Sequence, residues 1–399
     1  MNLPEEIVHV LRTLNNGGYD GYVVGGAVRD GLLGITAHDF DVTTNALPHQ
    51  VKQLFPRTID TGIRHGTVTV IVQNRHVEIT TYRKEGQYKD NRRPNEVEFV
   101  SSLRWDLSRR DFTINAIAYS PITGYIDFFN GIQHLSDRII KTVGDANIRF
   151  GEDSLRMMRA VRFACQLDFQ VDESVLSAIK DNASLILKIS KERIRDELDK
   201  ILLSGAEKGM LLLRDTGLLE LILPEVHALQ LPQDHPCNSD DIFIHTIKTT
   251  QYIDNELHLK LVALFHDIGK PHCRTTDDKG KDHFYGHAQI GSRVADGILR
   301  RLKYDNSTVN RVKTIIKFHS IKHTDSDKHV KKLLRRLGPE VFVDLVKLRR
   351  ADILAQKKKH HRQRLKKLGA MVKVYENIIK NGECFSLDRL AINGNDLLA

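Results

Sequence analysis

The amino-acid sequence predicts an α/β head followed by an all-α remainder, drawn out as an elongated chain of several domains. Three observations carry that expectation. Period-two alternation and helical periodicity mix over the first ~135 residues, and after roughly Leu135 strand signals vanish. A short apolar run, Tyr22-Val23-Val24, ends in two adjacent glycines and a helical stretch. At 399 residues the chain is long enough for several domains with substantial cores. Changes of pattern near Leu135 and across Pro232–Asn238, where Pro, Asp and Asn crowd together, divide it into 1–135, 136–235, 236–360 and a basic helical tail over 361–399.

In chain order, strands are expected at Tyr22–Gly25, Phe40–Thr44, Thr67–Val72 and Val77–Tyr82, with a helix starting around Ala27. Asn74-Arg75 lies between the last two runs and is read as their hairpin turn. Helical periodicity then dominates, most clearly over Ser154–Gln166 and Lys191–Leu203. Leu155, Met158 and Val161 recur at three-residue spacing as a buried stripe. No internal repeat or low-complexity linker interrupts the pattern.

Composition narrows the function classes. Apolar content is ordinary at 41%, and no apolar run is long enough to span a bilayer, which argues against a membrane partner. The start, Met1-Asn2-Leu3-Pro4-Glu5-Glu6, lacks the features of a secretory signal. Cys165, Cys237, Cys273 and Cys384 lie far apart in no zinc-ligand spacing, so reduced thiols in a cytoplasm are expected. The net charge of +9 favours a polyanionic partner. Basic residues cluster late, at Lys331-Lys332, Arg335-Arg336, Arg349-Arg350 and across Lys357 to Lys367, which holds seven Lys or Arg. Most such runs are only solvated helix faces; the residues that follow tip the balance towards nucleic acid.

Gly25 and Gly26 let the backbone approach a bulky anion, with their amides near a helix start that seats phosphate. Arg29 adds a charge-assisted contact. Asp39 and Asp41, two apart on an expected strand, project to one face. Side-by-side carboxylates near a phosphate site ask for a divalent cation, and oxygen ligands suit Mg²⁺. Together these are the equipment of metal-assisted phosphoryl or nucleotidyl transfer. A double glycine alone is usually a turn, and a D-x-D alone is often a solvated edge. Their ordered combination is what carries weight.

Two further segments extend the set. In Arg109-Arg110-Asp111-Phe112-Thr113-Ile114-Asn115-Ala116, Arg110 is placed to hold triphosphate and Asp111 to hold a ribose hydroxyl or assist at the metal. In Arg149 to Arg162, Asp153 and Arg156 are helical neighbours, an acceptor beside a donor fork that can address a base edge. Arg159 and Arg162 continue along one flank towards phosphates. A capped, salt-bridged helix is the plainer account of any one such pair.

The glycine–aspartate signature resembles that of the polymerase-β-type nucleotidyltransferases, in the version carried by tRNA nucleotidyltransferases and bacterial poly(A) polymerases. The Arg109–Ala116 segment resembles the family's RRDFT-x-NA motif, and Glu152-Asp153 through Arg159 resembles the E-D-x-x-R-x-x-R motif of its class II members. Lys191 to Leu198 looks like the later neck motif, usually structural. Tyr88 to Pro94, with Asp90, Arg92 and Arg93, looks like the flexible loop implicated in switching from C to A addition. The resemblance covers about the first 230 residues in four ordered motifs. It implies a polymerase-β-like catalytic head over 1–135 and a helical neck and body over 136–235. Asp39 and Asp41 would then hold Mg²⁺, while Gly25, Gly26, Arg29 and Arg110 hold triphosphate and Asp153 and Arg156 select CTP and ATP. The implied partner is the tRNA 3′ end and acceptor arm, and the implied reaction is addition or repair of its terminal CCA. An A-adding enzyme and a poly(A) polymerase share these motifs and remain open alternatives.

Downstream, His245, His266-Asp267 and Asp352 occur in the order of the H…HD…D pattern, and Leu261–Phe265 followed by His266-Asp267-Ile268-Gly269-Lys270 resembles the core of HD-domain phosphohydrolases. That resemblance implies a metal site within 236–360, with His287 and His319 supporting a second ion or phosphate. Imidazole with carboxylate suits Mn, Fe, Ni or Zn better than Mg. An active phosphohydrolase, even the chain's main activity, and a decayed structural remnant are both consistent with the pattern.

Overall fold

A computed structural model of the chain describes residues 1–85, 97–230, 242–278, 282–321, 326–356 and 361–383. The loop residues Asp90, Arg92 and Arg93 and the cysteines Cys237 and Cys384 lie outside these. The chain packs as two compact units, Met1–Ser190 and Lys191–Ala399, a coarser division than the four segments expected.

The first unit is built on a seven-stranded mixed sheet. Its strands run in the order Thr58–Gly62, Thr67–Val72, Arg75–Thr81, Asp41–Thr44, Tyr22–Val24, Ile117–Ser120 and Gly124–Asp127. Only Asp41–Thr44 and Arg75–Thr81 pair in parallel, with Asp41 opposite Glu78. Val23, Val42, Val68, Val70, Val77 and Ile79 face the interior. The helix Glu5–Asn16 buries Ile7, Val10, Leu11 and Leu14, the spacing of a single apolar stripe. A short helix, Leu103–Ser108, is drawn in by Leu103 and Leu107, which share a core with Val24, Tyr82 and Val143.

All four expected strands form, with ends moved by a residue or two. The hairpin turn is Gln73-Asn74, one residue earlier than expected, with Val72 opposite Arg75. Both turn residues take positive φ, 48° and 68°, which matches the right-handed strand twist and which Asn tolerates. Strand structure also persists beyond Leu135. Ile139–Ile140 pairs with Gln170–Val171, and Arg274–Thr276 with Asp282–Phe284. Two or three residues are too few to show an alternation. The helix Leu155–Gln166 buries more than the expected stripe, since Met157, Ala160, Phe163 and Ala164 are buried as well.

The second unit is helical. Its main helices are Lys191–Asp215, Ile242–Tyr252, Leu257–Phe265, His287–Arg301, Asn306–Phe318, Asp327–Ala355 and His361–Lys380. The helix Leu257–Phe265 is buried along nearly all its length, including Lys260, whose ammonium donates to the Thr250 carbonyl at 2.7 Å. That bond satisfies an orphan carbonyl at the end of Ile242–Tyr252. The long helix Asp327–Ala355 breaks at Gly338 ahead of Pro339, which redirects the half carrying Asp352. Among the described residues no helix is long and apolar enough to cross a membrane.

Candidate functional site

The head site assembles where the first strand ends. Gly25 takes φ 76° and ψ −137°, a conformation open to glycine, and so turns the chain into the helix Gly26–Leu32. A Cβ at Gly25 would lie 3.1 Å from Nη1 of Arg110 and 3.9 Å from Oδ2 of Asp41. Three motifs separated in sequence therefore converge on one glycine. Asp41 opens the next strand, at the edge of a groove of about 660 Å³ lined by His38, Asp39, Asp41, Arg75, His76 and Glu78.

Asp39 departs from expectation in one respect. The strand begins only at Asp41, so Asp39 reaches the groove from the preceding loop and not by strand alternation. Arg75 fixes that loop, donating from Nη2 to the His38 carbonyl at 2.7 Å and stacking on Phe40 at 5.1 Å. Both aspartates are exposed. Crowding by the surrounding protein raises the Asp41 carboxyl, Arg110 opposes that rise, and the charge of Asp39 adds to it. Neighbouring carboxylates at an open groove fit a hard divalent cation.

Behind the groove lies a carboxylate that the sequence reading missed. Asp106 is fully buried and accepts hydrogen bonds from Arg109 Nε at 3.0 Å, Arg109 Nη2 at 2.8 Å and Thr43 Oγ1 at 3.2 Å. Arg110 Nη2 lies 3.7 Å away. Burial pushes Asp106 up, yet the two guanidiniums outweigh it and hold the carboxyl below its ordinary value. The available signal was spacing, since Asp106 precedes Arg109 by three residues and Arg110 by four, where the helix Leu103–Ser108 ends. Glu78 was missed too. It alternates with buried Val77 and Ile79 and so faces out, but its pairing with Asp41 is a tertiary fact.

The expected nucleotide residues sit in a tight internal network. Arg29 is 5% exposed; its Nε donates to Asp30 at 2.8 Å and its Nη1 to Asn115 at 2.9 Å. Asp111 accepts from Arg159 Nε at 2.8 Å, from Asn115 Nδ2 at 3.2 Å and from the Phe112 amide at 2.8 Å. Burial works to raise Asp111, but Arg159 and these bonds bring its carboxyl down to about 2. Asp153 and Arg156 do not share a helix as expected. Asp153 ends the helix Ala146–Glu152 with extended backbone, and the next helix starts at Leu155, whose amide Asp153 accepts at 3.1 Å. Arg156 instead pairs with Glu152 at 2.6 Å, and its other contacts are the carbonyls of Arg149 and Arg109 at 3.2 and 3.0 Å. Arg162 lies over the Phe163 ring at 4.3 Å.

The second unit carries a separate, buried cluster. His245 stands on Ile242–Tyr252, His266-Asp267 follow Leu257–Phe265, His287 opens its own helix, His319 follows Asn306–Phe318, and Asp352 is on the last turns of Asp327–Ala355. All four expected ligands come together. His245 Nε2 lies 3.0 Å from Asp352 Oδ1 and 3.9 Å from Asp267 Oδ2, and His266 Nε2 lies 3.2 Å from the same Asp267 oxygen. The other oxygen, Oδ1, faces His287 at 3.7 Å and His319 at 3.6 Å. Asp267 thus stands between two groups of ligand atoms. Gly269 permits this arrangement, because a Cβ there would lie 2.2 Å from the His287 carbonyl.

The ring orientations fix the chemistry. Nδ1 of His266, His287 and His319 each lies within 2.8 Å of a backbone carbonyl, those of Ala263, Phe284 and Ile316. A carbonyl only accepts, so each Nδ1 carries a proton, and each Nε2 turns towards the cluster, a lone pair when the ring is neutral and a donor when it is charged. His287 Nε2 and His319 Nε2 face one another at 3.1 Å, and the buried His266 Nε2 has the Asp267 carboxylate at 3.2 Å but no well-aligned hydrogen bond among the described residues. Imidazole nitrogens and carboxylate oxygens gathered within 4.8 Å of one another on either side of Asp267 are what a resident cation would bind, so the residues fit a metal. Burial works to raise Asp352, but the hydrogen bond from His245 and the charges of His266 and His245 bring it down to about 2.

Residues 21–141 match the Poly A polymerase head domain, residues 168–230 the probable RNA- and SrmB-binding site of polymerase A, and residues 242–380 the HD domain. Over 223 residues the chain is 50% identical to the CCA-adding enzyme of Lactobacillus johnsonii, a stretch covering 55% of this chain and 56% of that one. Over 205 residues it is 49% identical to the CCA-adding enzyme of Enterococcus faecalis, covering 51% and 50%. The chain therefore spans about half the length of the curated relatives it matches. The crystal structure of the Bacillus stearothermophilus CCA-adding enzyme in complex with CTP is similar over 100% of this chain and 88% of that one, with a TM-score of 0.72 and 30% identity. The Thermotoga maritima CCA-adding enzyme complexed with tRNA shares the fold at a TM-score of 0.61 and 18% identity, covering 98% and 85%.

Proposed function

Because the chain belongs to the class II tRNA nucleotidyltransferase and poly(A) polymerase family, we propose that it builds or repairs the 3′-terminal CCA of tRNA from CTP and ATP, in the cytoplasm. The observation that carries this reading is the convergence of Gly25, Arg110 and Asp41 beside the groove. Asp39 and Asp41 would hold Mg²⁺, which when bound supplies charge stabilisation to the transferring phosphoryl group. Arg110, steadied by Asp106, presents a guanidinium to the triphosphate where Gly25 leaves room for it. Arg29 and Arg159 shape that wall from behind, tied together through Asn115 and Asp111. Arg156 commits both Nη1 hydrogens and one on Nη2 to Glu152 and the carbonyls of Arg149 and Arg109. Its Nε–H and remaining Nη2–H are the donors left for a base edge, with Asp153 as the neighbouring acceptor. The functional division proposed is a catalytic head over 1–135, a neck and body over 136–235, an HD-type domain over 236–360 and a basic tail over 361–399.

A second activity rests on a separate observation, the inward-facing Nε2 atoms of the histidine cluster. His245, His266, Asp267 and Asp352 would hold one transition metal ion, with His287, His319 and the far oxygen of Asp267 placed for a second. Bound there, such an ion supplies Lewis-acid charge for hydrolysis of a cyclic or terminal phosphate. Lys270, paired with Asp267, adds a cation beside the cluster.

The deciding experiment offers purified protein three RNAs at one fixed ionic strength: tRNA lacking CCA, tRNA ending in CC, and an unstructured oligonucleotide. Addition of C, C and A to the first, followed by arrest, is the expected result. Addition to the CC-ended tRNA alone would identify an A-adding enzyme. Long A tails on the unstructured RNA would identify a poly(A) polymerase. Salt must be held constant because phosphate contacts release counterions and make RNA binding steeply salt-dependent.

A further inference from the structure

We propose that Phe163 is a positioning residue of the head, its buried ring the common platform on which Arg29, Arg159 and Arg162 are held for an incoming triphosphate. The inference rests on the nucleotide-addition reading of the same site. Phe163 is 4% exposed and sits near the end of the helix Leu155–Gln166. The guanidinium carbons of Arg29, Arg159 and Arg162 lie 5.2, 5.4 and 4.3 Å from its ring centroid. Phe112 meets the same ring edge-on, at 5.6 Å and 79°.

A core phenylalanine ordinarily packs among apolar groups. Here three like charges from two distant segments gather on one ring, against their mutual repulsion. The negative π faces offset part of that repulsion, each contact within ~6 Å contributing roughly 0.5–2 kcal/mol according to its desolvation. Hydrogen bonds close the rest of the loop. Arg29 donates to Asn115, Asn115 to Asp111, and Arg159 to Asp111. The ring and this chain of bonds therefore link the helix after the double glycine to the helix of the base-selecting motif. Arginines fixed before the nucleotide arrives lose little side-chain entropy on binding it. Leucine at this position would fill most of the volume but offer no π face, leaving the guanidiniums to spread.

The test measures equilibrium binding of CTP and ATP by calorimetry, which needs no turnover, alongside addition kinetics and thermal melting. Phe163→Leu is expected to weaken triphosphate binding ~10-fold, the size of one or two lost cation–π contacts, and to raise KM accordingly with kcat nearly unchanged. Phe163→Tyr, which keeps the ring, should restore affinity to near wild type. Ile179→Ala removes more buried volume from the same unit, on a helix that carries none of the three arginines, and should lower the melting temperature without changing triphosphate affinity. Wild-type affinity in Phe163→Leu, an equal loss in Phe163→Tyr, or an equal loss in Ile179→Ala would each overturn the positioning role. A wild-type protein that binds triphosphate yet extends no RNA would overturn the addition reading and leave the Phe163 result readable. A wild-type protein that binds no triphosphate would overturn both.

Discussion

The two metal-capable sites are built on opposite plans. In the head, Asp39, Asp41 and Glu78 are exposed on a groove, while the cations that serve them are held behind by fully buried Asp106. In the second unit the central ligands are interior: His266 is 1% and Asp267 3% exposed, the Asp352 side chain keeps 31% of its surface, and three rings are locked by backbone carbonyls. The difference follows from the ions each donor set suits. Mg²⁺ keeps much of its water and needs oxygen atoms at a wet surface, where a long polymer end can also lie. A transition metal held by imidazoles gains from rings fixed in advance.

If the plans are independent, crossed substitutions separate them, and this is the largest effect expected. Asp41→Ala should lower nucleotide addition by about 10³-fold or more, since it removes charge stabilisation where charge develops in the transition state. It should leave phosphoester hydrolysis and the transition metal bound at the histidine cluster unchanged. Asp267→Ala, which removes the carboxylate standing between both ligand groups, should empty the cluster of transition metal by elemental analysis and abolish hydrolysis while sparing addition. The comparison breaks if either substitution disables both reactions, or if wild-type protein neither binds a transition metal nor hydrolyses a phosphoester.

A smaller effect sharpens the head's side of the comparison. Asp106→Asn keeps the shape of the side chain but removes the buried negative charge that Arg109 and Arg110 share. Addition should fall about 10-fold through weaker triphosphate binding, and the protein should lose on the order of 2–4 kcal/mol of stability, because buried cations are left uncompensated. Denaturant melts and KM measurements on the same preparation check both. An unchanged KM would mean that Arg110 is held without Asp106.

What could be read from the sequence divides along the same lines. The glycine pair, Asp41, Arg110 and the H…HD…D order were legible because local chemistry and spacing carry them. Four of the head's seven strands were legible: three run long enough to show a pattern, and Tyr22–Val24 is marked by an apolar run that ends in the glycine pair. The loop position of Asp39 was not, because Arg75 sets it from another strand. Nor was the rerouting of Arg156 to Glu152, because the helix break at Asp153 changes which residues are neighbours. Asp111 shows the same limit. It reads as a candidate ligand, yet in the fold it accepts from Arg159, Asn115 and a backbone amide, a network assembled by packing. Glu78 and Asp106 were hidden differently: each is a plain acid on a recognised or recognisable element, and only tertiary pairing gives it a part to play.

The smallest expected effect tests what a cation partner does for a crowded carboxylate. Asp111 and Asp352, each facing a cationic group, are held down to about 2. Asp199, in the helix Lys191–Asp215, accepts a hydrogen bond from the Tyr304 hydroxyl, but burial dominates and its carboxyl rises to about 6, with Arg195 opposing and Asp196 reinforcing the rise. The sign follows from linkage. A carboxyl whose folded pKa exceeds its unfolded value binds its proton more tightly in the native state. Its stabilising contribution is therefore complete below about pH 4 and is lost as pH rises through about 6. Asp199→Asn removes the titration and keeps an acceptor for Tyr304. The variant should gain on wild type as pH rises from 4 to 7, by roughly 1–2 kcal/mol after discounting for partial exposure, and then hold a constant difference. Thermal melts at half-unit pH steps would show the two curves separating through that window. Parallel curves would place Asp199 at an ordinary carboxylate value, and its burial without an ion pair among the described residues would then carry no measurable cost.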